Sequence, residues 1–401
     1  MKNKIIIIIG ILICTNSCRM PSDPLGEIKI IKQLDTINTG GDCLDLDVDM
    51  DGDSVLVAAS NYNGFIIYDI HYNGSVISEI KERIHISSYD MDSDIGDNRA
   101  QNVVIAPISN QAFILDKEDH IWLFDYNDGI NTLRAYLSNG NTVCYEARSL
   151  SIAIEEASDQ IRIYSLIKHY SGGLYWKKDS RSLITTNIEL SDINKAIECN
   201  YKFNKNDISD LIFYSDNLLI FGSGELGIQV YRFNEAFENT CVATNNDGKL
   251  LHIILDDEFE CKSDYNGAII EADELIPEFI MAFDTPGEVE SIYSKDSTIF
   301  VGLSNSNGFL QAIINSDGST IGPHQFGVGY TIKGIDQDNG LLALAAGHDG
   351  ILLYKWNGDV VSFMGKIETS YANTVKVKSD INSTIIFAAT EDGIEIIQID
   401  F

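Results

Sequence analysis

Hydrophobic and polar residues alternate in short runs along most of the chain, and the first clear example spans residues 43–70. From residue 44 to 49, Leu and Val alternate with Asp, which is the period of a strand with one apolar face. Asp51-Gly52 is a turn dipeptide, because glycine accepts positive φ. Residues 55–59 form an uninterrupted apolar run, as in a strand buried on both faces. Residues 64–70 are rich in β-branched and aromatic side chains, so the stretch predicts three short strands.

The same pattern recurs six more times. What the copies share is a Gly or polar turn followed by an apolar third strand, which in the clearest copies begins with Gly and a large apolar residue. The copies span residues 101–126, 150–178, 207–233, 288–314, 330–356 and 373–400. In the third unit, the predicted third strand is at residues 173–176. One such unit cannot bury its own faces, so several must stack against one another.

Apolar runs that fit a fourth strand follow six of the seven units. They lie at residues 76–80, 132–137, 183–188, 279–283, 320–326 and 360–367. The seventh unit is followed by none, whereas residues 28–34 form a strand without a unit. Four-stranded all-β units of this length indicate propeller blades. We therefore predict an all-β fold over residues 28–401, a seven-bladed β-propeller with four-stranded antiparallel blades, its ring closed by the N-terminal strand joining the last blade. The alternative is an open array, with residues 28–34 as a linker.

The units resemble the LVIVD-repeat β-propellers of bacterial surface and periplasmic proteins. The matching residues are 57–59 followed by 64–70, and 388–390 followed by 393–400. Residues 283–287 (Phe-Asp-Thr-Pro-Gly) resemble the linker between consecutive repeats, with an echo at residues 34–36. The resemblance implies the propeller fold and brings no shared catalytic motif with it.

The N-terminus has the features of an export signal. Residues 1–4 are basic, residues 5–13 are apolar apart from Gly10, and Cys18 follows Ser17. The apolar core is too short to span a bilayer permanently. We expect residues 1–18 to be a lipoprotein-type signal peptide that ends at an acylated Cys18, with residues 19–27 as a tether. Since residue 19 is Arg rather than Asp, an outer-membrane lipoprotein is favoured, facing the periplasm or the cell surface. Plain secretion is the alternative.

The charge balance narrows the choice of partners. There are 60 acidic residues against 28 Lys and Arg, for a formal net charge of −32. A surface this acidic disfavours nucleic acid and anionic lipid, so the membrane is expected to be reached through the lipid anchor only. The expected partner is an envelope protein or glycan, and the protein is expected to be a monomer. A solvated acidic surface that keeps the protein soluble explains the charge equally well.

Two insertions are candidates for partner contacts, because long loops on a rigid scaffold often carry binding specificity. One spans residues 82–98, and the other residues 234–277. Cys241 and Cys261 flank much of the second insertion and are the best candidates for a disulfide, which export permits. The alternative for both loops is that they are variable surface segments with no role in binding.

The sharpest candidate site for a ligand is the run Asp47, Asp49, Asp51 and Asp53. Alternate carboxylates followed by Gly52 match the first half of a calcium loop. An EF-hand is excluded, because its twelfth position falls on Ala58 and strands flank the run. No other cofactor is expected. The alternative to calcium is an inner strand with solvated Asp side chains and an Asp-Gly hairpin.

A second candidate site lies at the predicted axis of the propeller. If the inner strands align, five polar residues occupy one equivalent position and face the channel: Asp45, Asn102, Ser149, Asp210 and Thr374. Such a ring can bind a ligand or a cation, but it can also simply hold water, and a shift of one residue reverses every side chain.

Enzyme signatures are mostly absent. The seven His residues are scattered, with no His-x-His or His-x-x-x-His spacing. We therefore expect no catalytic residues. We expect a non-catalytic binding or scaffolding module of the bacterial cell envelope. The alternatives are a propeller enzyme, such as a metal-dependent hydrolase or lyase that uses channel carboxylates, and a structural surface-layer component.

Overall fold

In the computed structural model of the protein, every described element is a β-strand. The structure describes residues 30–51, 54–73, 76–87, 100–108, 110–116, 121–126, 133–137, 147–156, 160–169, 181–189, 196–202, 211–215, 218–223, 227–232, 243–244, 250–251, 278–315, 319–358, 360–379 and 383–400. Within these ranges there is no helix of the length and hydropathy needed to cross a membrane.

Seven four-stranded antiparallel sheets contain all but two of the described strands. Sheet 1 consists of β2 (Cys43–Asp51), β3 (Ser54–Asn61), β4 (Gly64–Asn73) and β5 (Val76–Ser87). Sheet 2 consists of β6 (Ala100–Ala106), β7 (Gln111–Asp116), β8 (Ile121–Asp125) and β9 (Leu133–Leu137). Sheet 3 consists of β10 (Ala147–Glu156), β11 (Gln160–His169), β12 (Arg181–Glu189) and β13 (Ala196–Lys202). Sheet 4 consists of β14 (Leu211–Ser215), β15 (Leu218–Ser223), β16 (Gly227–Arg232) and β19 (Glu278–Phe283).

The remaining sheets follow the same plan. Sheet 5 consists of β20 (Val289–Lys295), β21 (Thr298–Leu303), β22 (Phe309–Ile314) and β23 (Thr320–Phe326). Sheet 6 consists of β24 (Gly334–Asp338), β25 (Leu341–Ala345), β26 (Ile351–Trp356) and β27 (Val361–Ile367). Sheet 7 consists of β28 (Ala372–Ser379), β29 (Thr384–Thr390), β30 (Gly393–Asp400) and β1 (Ile30–Ile37). The predicted all-β fold of four-stranded antiparallel units is therefore confirmed.

The third unit was predicted with the wrong strands. The segment expected to be its outer strand, residues 183–188, lies in β12 and is the third strand of sheet 3. The outer strand is β13, and the run at residues 173–176 lies outside the described residues. The error arose because the chain between β11 and β12 is longer than a tight turn, so the first apolar run after β11 was taken for the third strand.

The N-terminal strand joins the last sheet, as the sequence predicted. β1 runs antiparallel to β30, from the pair Ile30 and Asp400 to the pair Ile37 and Ile394, with a bulge at Leu34. We call the seven edge strands β2, β6, β10, β14, β20, β24 and β28 the first strands of their sheets. Each first strand contacts the first strand of the next sheet, and that of sheet 7 contacts that of sheet 1.

The requirement for glycine at the start of the third strand is steric. In four sheets the carbonyl oxygen of the last residue of the outer strand lies where a Cβ would be. The distances from an ideal Cβ are 2.2 Å at Gly227, 2.0 Å at Gly308, 2.3 Å at Gly350 and 2.1 Å at Gly393. At Gly393 that oxygen belongs to Ile37 of β1. β1 therefore meets sheet 7 as the other outer strands meet their own sheets.

A β-bulge recurs at one point of the first strands and sets their register. The register shifts lie between Cys43 and Asp45, Ala100 and Asn102, Ser149 and Ser151, Val289 and Ser291, and Ala372 and Thr374. We call the residue after the shift the post-bulge position. In sheet 3 it is Ser151, two residues after the predicted Ser149.

The hydrophobic core lies between neighbouring sheets. On β2, the buried side chains Cys43, Leu46 and Val48 belong to one cluster with Phe387 and Ile396 of sheet 7. The other face of β2 carries the Asp residues and points toward sheet 2. Both faces of a first strand thus meet a protein neighbour, so its polar face is not simply a solvent face.

The loop into β2 corrects one part of the family resemblance. The Thr39 hydroxyl donates to the Gly41 carbonyl at 2.7 Å, and the Thr285 hydroxyl donates to the Gly287 carbonyl at the same distance. The counterpart of the linker at residues 283–287 is therefore residues 37–41, and residues 35–36 lie inside β1.

One of the two predicted insertions begins later in the structure than expected. The first was expected at residues 82–98, but β5 continues to Ser87 and its residues 82–87 pair with β4. Residues 88–99 lie outside the described residues. Within the second insertion, only a short hairpin is described, of β17 (Ala243–Thr244) and β18 (Leu250–Leu251).

Candidate functional site

The first strands carry the polar groups that the sequence placed at the axis, and Asp45 is the first of them. Its Oδ2 accepts hydrogen bonds from the side-chain amide of Asn102 and from the backbone N–H of Val103, the latter at 3.1 Å. Both donors belong to β6 of the next sheet. Asp45 and Asn102, predicted to share a channel position, are therefore in direct contact.

Asp47 repeats this arrangement two residues further along β2. Its Oδ2 accepts a hydrogen bond from the backbone N–H of Ile105 at 2.8 Å. Its Oδ1 accepts from its own neighbour, the N–H of Val48, at 3.0 Å. The same oxygen lies 3.0 Å from Nζ of Lys376. Both carboxylate oxygens of Asp47 are thus engaged by protein donors.

Other sheets use the same contact. In sheet 6, Asp336 accepts from the N–H of Val377 and Asp338 from the N–H of Ser379, both at 2.6 Å. In sheet 3, the Ser151 hydroxyl oxygen accepts from the N–H of a sheet 4 residue, Ile212, at 3.3 Å. In each case an oxygen on one first strand accepts from the backbone of the next.

The cause is the free edge of the first strand. A first strand pairs within its own sheet along one edge only, so alternate N–H groups on the other edge have no ladder partner. A buried N–H without an acceptor costs free energy. Asp or Ser on the preceding sheet supplies that acceptor, and a carboxylate makes the stronger bond.

Lys376 is the positive centre of this region. It lies on β28 and forms its ion pair with Asp47 on β2, so it joins sheet 7 to sheet 1. Burial acts to lower the pKa of Lys376, but the carboxylates of Asp47, Asp336 and Asp45 outweigh it and raise that pKa above its usual value. The Lys376 side chain is still 32% exposed, so water reaches the pair.

The carboxylates nearby are shifted in the same direction. Burial raises the pKa of Asp45 to about 6, with a further contribution from Asp47, although Lys376 and the Val103 N–H oppose it. Burial also raises the pKa of Asp336, against Lys376, the Val377 N–H and Lys378. Desolvation disfavours the charged form of a carboxyl group. At both carboxyl groups, burial thus outweighs the nearby ammonium groups and backbone N–H donors.

The other predicted channel residues do not share the contact that Asp45 makes with Asn102. Thr374 lies against Gly334, where an added Cβ would be 2.8 Å from the Thr374 Cα and Oγ1. Ser149 precedes the bulge, and Ser151 occupies the position that was assigned to it. Asp210 lies outside the described residues, and the pairing of Leu211 with Gly222 matches that of Asp45 with Ser60. The predicted ring of five aligned polar residues is thus wrong at Ser149, and in sheet 4 the equivalent position is Leu211 rather than Asp210.

The calcium hypothesis meets a geometric obstacle at Asp47. Its Oδ2 accepts from the Ile105 N–H of sheet 2, and its Oδ1 lies against Lys376. Asp51 ends β2, its side chain is not described, and Asp53 lies outside the described residues. Among the side chains that are described, no three of His, Cys, Asp or Glu are placed to hold a metal ion. Asp47 is therefore not free to act as the first calcium ligand of this run.

The remaining candidate residues are not described. Cys18, Cys241 and Cys261 all lie outside the described residues, so lipidation and the disulfide stay predictions. Within the described part of the chain, Cys43 is a free and buried thiol.

Sequence reasoning missed Lys376, Asp336 and Asp338. The signal was present, because charged residues alternate with buried ones in both strands: Lys376 lies between Val375 and Val377, as Asp47 lies between Leu46 and Val48. Taken together, the arrangement provides acceptors for backbone N–H groups and one ionic contact between sheets. It presents no nucleophile beside a base.

Comparison with known proteins bears on the fold. No protein-family model and no curated protein sequence matches the chain. The β-propeller domain of Cps50 (Swd1) from Myceliophteria thermophila is similar, with 12% identity, a TM-score of 0.54 and coverage of 92% of this chain and 99% of that one. U3-55K has 10% identity, a TM-score of 0.51 and coverage of 92% and 98%. The C-terminal WD40 domain of Sif2 has 12% identity, a TM-score of 0.52 and coverage of 94% and 100%. The chain therefore has the β-propeller fold.

Proposed function

We propose that this β-propeller is a closed, seven-bladed ring that is exported, anchored by lipid at Cys18, and used as a non-catalytic binding or scaffolding module of a bacterial cell envelope. The ring is supported by the contact between the first strands of sheets 7 and 1, and by the pairing of β1 with β30. In a ring closed in this way, the first and last blades are neighbours, so neither is left exposed at the end of an array.

The observation that carries the non-catalytic assignment is the engagement of the axial carboxylates. A general acid or base needs an oxygen that reaches substrate, and a metal ligand needs a free lone pair. Asp47 and Asp336 instead accept backbone N–H groups of the next sheet. These side chains hold the sheets together, which leaves recognition to the loops. The alternative of a hydrolase or lyase acting through these carboxylates is not favoured by that geometry.

Export and anchoring are supported by the sequence alone. The basic, apolar and Cys-containing segments of residues 1–18 fit a lipoprotein signal, and β1 begins only twelve residues after Cys18. A diacylated and N-acylated cysteine carries enough methylenes for stable membrane attachment. The partner is proposed to be an envelope protein or glycan, contacted by residues 88–99 and 234–277.

The test is a cross-linking pull-down of the full-length protein from its native cells, with both protein and glycan readout. In two variants a short Gly-Ser linker replaces residues 89–98 or 234–277, which leaves β5, β6, β16 and β19 intact. We expect one abundant envelope partner, lost in at least one variant that melts like the wild type. Recovery of the same partner with both variants would overturn the loop assignment, and the absence of any partner would overturn the binding module.

Cys18→Ser tests the anchor separately. We expect the wild type in the membrane fraction and the variant in the soluble fraction, with the same partner captured by both. Equal membrane retention of the two would contradict acylation while leaving the partner result intact.

A further inference from the structure

β1 is held in sheet 7 mainly by its backbone. It pairs with β30 along one edge and lies at the end of the sheet. Of its side chains from residue 31 to 37, only that of Ile37 is buried, while Leu34 is half-buried and the others are exposed. Its side-chain hydrogen bonds stay within the strand, as from Gln33 to Thr36 at 2.8 Å. Within the described part of the chain, no side-chain hydrogen bond or ion pair joins β1 to another element.

Sheet 7 has packing contacts that do not involve β1. Its other three strands, β28, β29 and β30, contact both neighbouring sheets. The Ile397 side chain belongs to a core cluster shared with sheet 6, and the Ile396 side chain belongs to one shared with sheet 1. The ion pair of Lys376 with Asp47 also joins sheets 7 and 1. Release of β1 would therefore uncover one edge of β30 while sheet 7 stays in place.

The edge uncovered in this way fits a strand. All residues of β30 from Gly393 to Ile399 are buried, and the strand pairs with β1 from Ile394 to Asp400. At Gly393 the place of a Cβ is taken by the Ile37 carbonyl oxygen, 2.1 Å away. A strand with an open edge pairs readily with a strand of another chain. We call this edge of β30, from Gly393 to Asp400, the β1 seat.

The loop that follows β1 is held by sheet 1. Residues 38–42 join β1 to β2. The Asn61 side-chain amide donates to the Thr39 carbonyl at 2.6 Å, and the Asn63 amide, in the turn between β3 and β4, donates to the Gly40 carbonyl at 2.7 Å. The pair Gly40-Gly41 gives this loop the backbone freedom to take another path. β1 is therefore an arm that extends from sheet 1 and lies on sheet 7.

We propose that β1 exchanges at this seat, so that β1 of a second copy of the chain pairs with β30 and two copies join reciprocally. The second copy is the occupant because the sequence of β1 is the one that the structure shows to fit the seat, with a bulge at Leu34 and Ile37 at Gly393. Exchange preserves every contact of the seat, and two reciprocal exchanges form a closed two-fold dimer.

The concentration of the protein sets the balance between the two forms. In dilute solution the chain's own β1 fills the seat, because its effective concentration there is high. At higher concentration β1 of a second copy competes with it, so the exchanged dimer becomes more abundant. This dimer depends on neither the anchor nor the loops of the proposed function.

The first experiment detects exchange between copies. An isotope-labelled Lys32→Cys variant is mixed with unlabelled Gln398→Cys under mild oxidation, because these residues are directly opposed in the ladder of β1 and β30. Opposed residues of an antiparallel pair lie close enough for a disulfide. Mass spectrometry then identifies the disulfide between labelled and unlabelled copies, and its yield should rise with protein concentration.

Two controls accompany this measurement. A single chain that carries both substitutions is the positive control, because its own β1 brings the two thiols together. Unlabelled Ser362→Cys, exposed on the outer strand of sheet 6, replaces Gln398→Cys as the control for chance collisions. A disulfide yield between copies that is no higher than with Ser362→Cys at any concentration would overturn the proposal.

The second experiment shortens the loop. Deletion of Gly40-Gly41 strains a chain whose β1 must reach its own sheet 7, whereas the exchanged form can extend the loop. The variant should therefore sediment as a dimer at a concentration where the wild type is a monomer. Deletion of Val328-Gly329, exposed in the loop between β23 and β24, is the control and should leave the monomer unchanged. A folded Gly40-Gly41 deletion that stays monomeric would contradict the proposal. If that variant does not fold, the disulfide measurement decides alone.

Discussion

Gly393 is the residue at which β1 is fitted to the last sheet, and Gly393→Ala is the sharpest test of that closure. Its φ is +116°, a conformation that side chains rarely adopt. An added Cβ would lie 2.1 Å from the Ile37 carbonyl oxygen and 3.1 Å from its carbon. Both atoms are backbone, so no side chain can rotate away. The methyl group must displace the end of β1.

Two costs add in this variant. The unfavourable φ costs of order 1–3 kcal/mol in any residue with a Cβ. Displacement of β1 exposes Ile37, which is now only 7% exposed, and burial of such a side chain contributes about 1.5–3 kcal/mol. We therefore expect Gly393→Ala to lower the free energy of unfolding by about 2.5–6 kcal/mol.

The control is Gly358→Ala. Gly358 has a φ of +96°, similar to that of Gly393, but nothing lies within 4 Å of its Cβ position. It should show the conformational cost alone, about 1–3 kcal/mol. Both free energies come from urea unfolding, and hydrogen exchange should show loss of protection in β1 for Gly393→Ala only. Equal destabilisation by the two variants, with β1 still protected, would refute the steric argument.

The remaining predictions concern the first strands. Since burial raises the pKa of Asp45 to about 6, its stabilising contribution is complete below its unfolded pKa and is lost as pH rises through 6. Between pH 5.0 and 7.5, urea unfolding should show the wild type losing about 1.4 kcal/mol relative to Asp45→Asn, and parallel curves would contradict this. Ser151→Ala leaves the Ile212 N–H without its acceptor and should cost about 1–3 kcal/mol. In the same assay Ser291→Ala should be near neutral, since the Ser291 hydroxyl has no hydrogen-bond partner among the described residues. Because both Asp47 oxygens are engaged, calcium and a chelator should give the same melting temperature, and a clear rise with calcium would restore the metal hypothesis.

Much of the fold is readable from the sequence because two local signals repeat. Alternation of apolar and polar residues marks the first strands, and the recurring Gly marks the start of the third. The Gly signal is reliable because its cause is local: at Gly308 and Gly350 the end of the same sheet's outer strand occupies the place of a Cβ. Even the orphan strand β1 was assigned by the same logic, since the last unit lacked an outer strand.

The errors come from features that alternation does not encode. A shift of two residues along a strand preserves the alternation of faces, so Ser149 was chosen where Ser151 belongs. The long connection after β11 hid the true third strand of sheet 3. In the linker, Thr36 was chosen over Thr39, because a hydrogen bond from Thr to a carbonyl two residues on is a matter of backbone geometry.

The candidate site was harder to predict than the fold because an alternating Asp pattern has two physical solutions. On a sheet with one face in water, alternate carboxylates are solvated and carry no positional information. Where sheets pack side by side, the same face meets the free edge of the next first strand, and the carboxylate becomes an acceptor for its N–H groups. A single strand's sequence is the same in both cases, and only the neighbouring sheet distinguishes them.

The acidity of the chain therefore has two physical components with different behaviour. Carboxylates on exposed strands respond to salt, because screening acts on solvated charges. Carboxylates such as Asp47 and Asp338 respond to the position of one backbone N–H, which salt screens much less. For Asp338, whose oxygen accepts from Ser379 at 2.6 Å, replacement by Asn keeps an acceptor and replacement by Ala removes it. An effect of Asp338→Ala that exceeds that of Asp338→Asn and persists in high salt would follow from this geometry, and a purely electrostatic role predicts equal losses that fade as salt is added.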